Sequence, residues 1–314
     1  MSPLHAWREG IRRVASAPAL LAGVWVATML VGVPLTLAIR SDIVRQLGPR
    51  LDAEAAARGM DFDWLQEFAA NTAGAGSTLT PAIVGFAGTL DNLSALVDGV
   101  KRPSSVAGAA SLYAILWLFF SGGIIERYAR RREAQPRPFL AACGAYFPRF
   151  VRLGILMAVV YALLFGALHP WMFRRVYPRL ADGATDQTAF AVRAVLYAIF
   201  GLLAVAANIV FDYTKVRAVV ENRRSMTVAV AAALRFIRTY PRAAIGVYGL
   251  DVLLFAVTLA VYAGVAPGSA GNGAMVWAAV LIGQAYIAGR LAVRLLFFAS
   301  ETAAFEDRLG VRRH

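Results

Sequence analysis

Six apolar runs, each about as long as the ~20 helical residues needed to cross ~30 Å of hydrocarbon, set the terms for everything else in this chain. They cover roughly 18–39, 106–125, 153–173, 194–211, 243–265 and 275–299. The 314-residue sequence is 59% apolar and only 16% charged. A soluble domain is nearer half apolar and a quarter charged, so the expected fold class is an all-α integral membrane protein with six transmembrane helices. Residues 1–314 are read as a single membrane domain. The run from Pro18 to Ile39 is longer than a signal-peptide core and is read as an uncleaved first span.

Charge sets the expected orientation. Of the 32 Lys and Arg, 22 fall in segments 1–17, 126–152, 212–242 and 290–314, and 10 in the segments between. Positive residues collect on the cytoplasmic side of membrane proteins, so both termini are expected in the cytoplasm and the net charge of +13 is assigned to topology rather than to nucleic acid. Alanine- and arginine-rich usage suggests a bacterial chain, hence a multi-pass protein of the inner membrane.

The segment 41–105 departs from this pattern, with eight acidic against five basic residues. It is expected to form a mostly helical extracytoplasmic cap loop. Ile43, Leu47, Leu51 and Ala55 fall at helical spacing, Trp64, Leu65 and Phe68 follow, and Pro81–Leu90 is apolar but too short to span.

Three stretches share one layout: Trp7 to Leu35, Phe139 to Leu168 and Val228 to Leu259. Each places an Arg-bearing amphipathic segment, then a break or small residue, ahead of an apolar run. The expected architecture is therefore three repeats of an elbow helix followed by a hairpin of two spans, with Pro148 and Pro241 ending the second and third elbows. Arg12, Arg13, Arg149, Arg152, Arg235, Arg238 and Arg242 would then lie among lipid headgroups, each attracted to an anionic surface by about 1 kcal/mol.

From about 106 to 300 this layout resembles several bacterial membrane-protein families of unknown function, and the membrane domain that accompanies some glycerophosphodiester phosphodiesterases. The resemblance is carried by Phe147-Pro148-Arg149, Tyr240-Pro241-Arg242, the run Phe211–Arg217 and the run Val220–Ser225. It implies an accessory or transport role. The phosphodiesterase catalytic domain has no counterpart here.

Polar residues in the later spans are the candidate binding residues, because ionisable groups at depth are costly and need partners. Asn208, Asp212, Asp251, Gln284, Arg290 and Arg294 outline a seam, with Asp251–Arg290 and Asp212–Arg294 as the expected ion pairs. Three roles stay open for it: a clamp between helices, a face that admits an anionic headgroup, or a proton relay. His169-Pro170-Trp171 reads as part of an interfacial aromatic belt.

No phosphate-binding loop, HExxH or GxSxG motif occurs, so no catalytic residue is assigned and the chain is read as non-enzymatic. One Cys and three His leave no basis for a metal site, and no cofactor is expected. The first functional expectation is a scaffold or accessory subunit contacting anionic membrane lipids. The alternative is a transporter or lipid-handling protein for an anionic molecule; a protein partner or homo-oligomer fits either.

Overall fold

The computed structural model describes residues 2–47, 62–72, 74–78, 103–131, 135–266 and 273–308. Among them there is no strand. Among the described residues the α-helices of ten residues or more are α1 (Pro3–Ala15), α2 (Pro18–Leu47), α3 (Phe62–Asn71), α4 (Ser104–Arg130), α5 (Pro136–Leu163), α6 (Asp186–Val220), α7 (Met226–Thr239), α8 (Pro241–Val265) and α9 (Ala274–Arg308). The helices α2, α4, α5 with its continuation to Ala181, α6, α8 and α9 are long and apolar enough to cross a membrane.

Local chemistry explains where the helices begin. Proline stands in the first turn of α1, α2, α5 and α8, where its missing N–H costs nothing and its fixed φ suits the helix. Ser2 accepts the backbone N–H of His5 at the start of α1, and Thr185 accepts that of Thr188 at the start of α6. The α6–α7 turn contains Asn222 at φ 51°, a left-handed position that asparagine tolerates better than most residues.

Two of the three expected elbows are separate helices. α1 breaks from α2 at Ser16–Ala17, and α7 breaks from α8 at Tyr240. The middle one is not separate: α5 runs through Pro148 without interruption, which corrects the reading of Phe147-Pro148-Arg149 as a break. A proline inside a helix removes one hydrogen bond, and the turns on either side of Pro148 keep the helix continuous. Beyond Leu163 the same rod continues through π-helical turns at Leu164–Leu168 and Met172–Val176, each followed by a short helical turn beginning near a proline, Pro170 or Pro178. A π turn shifts the hydrogen-bond register and so accommodates a residue that lacks a donor.

Burial is uneven along the rods. Side chains of Ile155, Val159, Leu163, Val195, Leu202, Leu253, Val257, Val261, Trp277 and Leu281 point outward. So much exposed apolar surface would be an association hazard in water, and it is what a lipid-facing surface requires. Tight packing concentrates instead at the end of the bundle where α1 begins and α9 finishes, called the basal end below. There Leu291, Leu295, Phe298 and Ala299 of α9 pack with Leu20, Val24, Trp117, Phe150 and Leu153, and Tyr213, Val216, Phe236 and Phe305 form an adjoining cluster.

α1 lies against the basal part of α9 and also touches α8. A side chain added at Gly10 would meet the Ser300 backbone at 2.9 Å, so the glycine sets how closely α1 can sit. Arg13 holds the same seat: it donates to the Tyr128 carbonyl at 3.1 Å and to Glu306 at 2.9 Å, joining α1 to α4 and α9.

Of the expected cap loop, α2 carries Ile43 to its end at Leu47, and Phe62–Asn71 forms the amphipathic helix α3, on which Phe68 is buried against Trp64 at 5.1 Å between ring centroids. Leu51, Ala55 and Pro81–Leu90 lie outside the described residues.

Candidate functional site

The six seam residues come from α6, α8 and α9, but they are not joined to one another as expected. Tyr161 on α5 donates to Asn208 Oδ1 at 2.6 Å. Trp25 on α2 donates its indole N–H to Gln284 Oε1 at 3.0 Å. Asp212 pairs with Lys215 on its own helix, N to O 2.7 Å, and Asp251 accepts a hydrogen bond from Ser300 Oγ at 2.6 Å.

Neither expected ion pair forms, and helix register explains why. Asp251 lies ten residues into α8, about 15 Å along its axis, while Arg290 lies eighteen residues, about 27 Å, from the basal end of α9. Ser300, eight residues or about 12 Å from that end, is the residue level with Asp251. Likewise α6 continues eight residues past Asp212, which leaves Arg294 farther from the basal end than Asp212 is.

Arg290 and Arg294 therefore form no ion pair with these acids, although the Asp212 charge acts on Arg294. The Arg294 guanidinium lies 3.7 Å from the centroid of the Trp117 ring and 5.9 Å from that of Tyr113, and Arg290 lies 6.0 Å from that of Tyr286. Aromatic faces attract the cations without neutralising them. No carboxylate among the described residues forms an ion pair with either arginine.

Both arginines, themselves exposed, line an open cavity of about 380 Å³ between α4, α8 and α9, together with Tyr113, Phe255, Leu291, Val293 and Phe297. That volume falls within the ~300–1,000 Å³ usual for small-molecule sites. Its chemistry is two positive charges one helical turn apart over an aromatic and aliphatic wall. Such a lining is complementary to an anionic group attached to an apolar body.

The arginines expected at the headgroup layer divide. Arg12, Arg152, Arg235, Arg238 and Arg242 are exposed. Arg13 turns inward to Tyr128 and Glu306, so it ties helices together instead of facing lipid, and Arg149 donates to Asn222 Oδ1 at 2.7 Å and to the Arg223 carbonyl. His169 is buried and packs tilted against Phe173 and edge-on to Phe200, with ring centroids 4.5 and 5.1 Å away, while Trp171 is exposed.

Four residues of the basal end escaped the sequence reading: Trp7, Lys215, Ser300 and Glu301. Glu301 falls just beyond the apolar run 275–299. Its neighbours carry the available signal, since Phe298 and Phe305 place large apolar groups one turn before and one turn after it on a continuing helix.

Comparison of the chain with protein-family models, with curated proteins and with solved structures finds no match.

Proposed function

We propose that this chain is a non-enzymatic, lipid-binding protein of a bacterial inner membrane, with both termini in the cytoplasm, and that Arg290 and Arg294 receive the headgroup of an anionic amphiphile. The observation that carries the reading is the pair itself: two guanidinium groups line one cavity, and their neighbours in it are aromatic and aliphatic. Arg290 and Arg294 lie sixteen and twenty residues, about 24 and 30 Å, from the outer end of α9. That depth suits a headgroup in the leaflet nearer the basal end. The exposed arginines at 12, 152, 235, 238 and 242 would hold the same surface against anionic lipid.

A scaffold or accessory subunit is the second reading, favoured by the polar ties Tyr161–Asn208, Trp25–Gln284 and Ser300–Asp251, each of which joins two different helices. The two readings separate by mass spectrometry of molecules that copurify in mild detergent, comparing the wild type with Arg290→Ala/Arg294→Ala after circular dichroism has established that both are folded. The expected result is an anionic species retained by the wild type and depleted at least tenfold in the double variant. The same unselective lipid in both would overturn the binding site and leave the scaffold.

A further inference from the structure

The basal core contains a group of buried polar atoms that the arginine site does not use. Glu301 is fully buried, and neither of its carboxyl oxygens has a hydrogen-bond partner. Asp251 is fully buried too; Ser300 satisfies its Oδ2, and its Oδ1 has no partner. The Trp7 indole N–H, beside Asp251, and the Tyr213 hydroxyl, beside Glu301 and Asp251, are likewise buried and unmatched.

These atoms come from four helices. α6 brings Asp212, Tyr213 and Lys215 toward Glu301; α8 brings Tyr248 and Asp251; α9 brings Ser300 and Glu301; α1 lays Trp7 over Asp251, with Arg13 two turns farther on, bound to Glu306. The cation acting on Glu301 is Lys215, whose Nζ already donates to Asp212 at 2.7 Å and lies over the Phe298 ring. Lys215 thus serves both Glu301 and Asp212, Arg294 also acts on Asp212, and among the described residues no cation pairs with Asp251.

If all three were ionised, at least one negative charge would sit in a packed interior without a counter-charge. Burying an unpaired carboxylate costs several kcal/mol even after the surroundings relax. A metal ion is not the remedy, because among the described residues no group of three or more metal-ligating side chains could hold one. A proton removes one charge and needs no coordination shell. It also turns an acceptor-only carboxylate into a group with an O–H donor, which answers the excess of unmatched acceptors.

The geometry points to a proton-binding site shared by Glu301 and Asp251 beneath α1, with the proton taken from and returned to water at the basal end. Binding makes one O–H bond on a carboxylate oxygen and changes the charge of the cluster by one; nothing is oxidised or reduced. α1 is the cover of the site, since Trp7 lies beside Asp251 and Gly10 rests on the backbone of Ser300.

Infrared difference spectroscopy on the protein in phosphatidylethanolamine–phosphatidylglycerol vesicles tests this directly. At neutral pH, the wild-type spectrum minus that of Glu301→Gln, or minus that of Asp251→Asn, should contain the C=O stretch of a protonated carboxyl. That band should vanish as the pH is raised and return when it is lowered. If both differences contain only carboxylate bands at neutral pH, or if the protonated band persists until the protein unfolds, the proposal fails. Should Glu301→Gln not fold, Asp251→Asn decides the matter by the same criterion. Neither variant touches Arg290 or Arg294, so the result stands independently of the headgroup site.

Discussion

Ser300 Oγ donates to Asp251 Oδ2 at 2.6 Å, and this contact between two fully buried side chains fixes the register of α8 against α9. The Ser300 hydroxyl also lies 3.2 Å from the Phe297 carbonyl, a fallback acceptor on its own helix. Removing the hydroxyl in Ser300→Ala leaves Asp251 with only the neighbouring Trp7 indole N–H as a donor. A buried polar group stripped of its partner costs about 1–3 kcal/mol. Thermal unfolding in detergent should therefore place Ser300→Ala below the wild type, whereas Arg290→Ala should unfold close to it because no ion pair to Asp251 is lost. An equal loss in both variants would contradict the register described here.

Gly10 makes a second prediction, about the seat of α1. Its Cβ position lies 2.9 Å from the backbone N and Cα of Ser300, and backbone cannot yield as a flexible side chain can. Gly10→Ala should push α1 away from α9 even though alanine is the better helix former by about 1 kcal/mol. Overpacking of this kind costs about 1–3 kcal/mol, so the strain outweighs the propensity. The measurement is limited proteolysis of α1 together with Trp7 fluorescence: the variant should be cut faster and its tryptophan emission should move to the red. Gly23, whose added Cβ would meet nothing within 4 Å, is the control, and Gly23→Ala should change neither signal.

What hydropathy could and could not reveal follows from what it measures. The six spans were legible because a lipid-facing helix must be apolar over a full membrane thickness, and the helices through 18–39, 106–125, 153–173, 194–211, 243–265 and 275–299 are long and apolar enough to span. The basal core was not legible, because Ser300, Glu301 and Thr302 look like the polar end of a span when they are in fact buried against protein. Ending the last helix near 299 instead of at Arg308 shortens its basal end, and so sets Arg290 in place of Ser300 level with Asp251. Pro148 misled in the opposite sense: a lone proline was taken as a break, and α5 carries it mid-helix. Arg290 and Arg294 stood out in the sequence as charges at depth, but the lack of an ion pair to Asp251 or Asp212 depends on three-dimensional register and has no signature in composition.

The turn between α6 and α7 supplies a pH-dependent prediction outside the spanning segments. Burial by itself raises the carboxyl of Glu221, but hydrogen bonds from Arg217 and Arg223, together with their charges, outweigh it and hold Glu221 below its ordinary value. Arg217 Nε donates to Glu221 at 2.9 Å and its guanidinium also reaches the Ala232 carbonyl on α7, so the carboxylate helps to fix both sides of the turn. For a carboxyl lowered by folding, the stabilisation is complete above the unfolded-state value and is lost as the pH falls through the folded one. Glu221 is partly exposed, so solvent screening keeps the effect small. Glu221→Gln should thus lower the unfolding temperature slightly at neutral pH, and the gap from the wild type should close as the pH falls below the ordinary glutamate range. A gap that widens on acidification would reverse the sign of the linkage and place the stabilising charge elsewhere than on this turn.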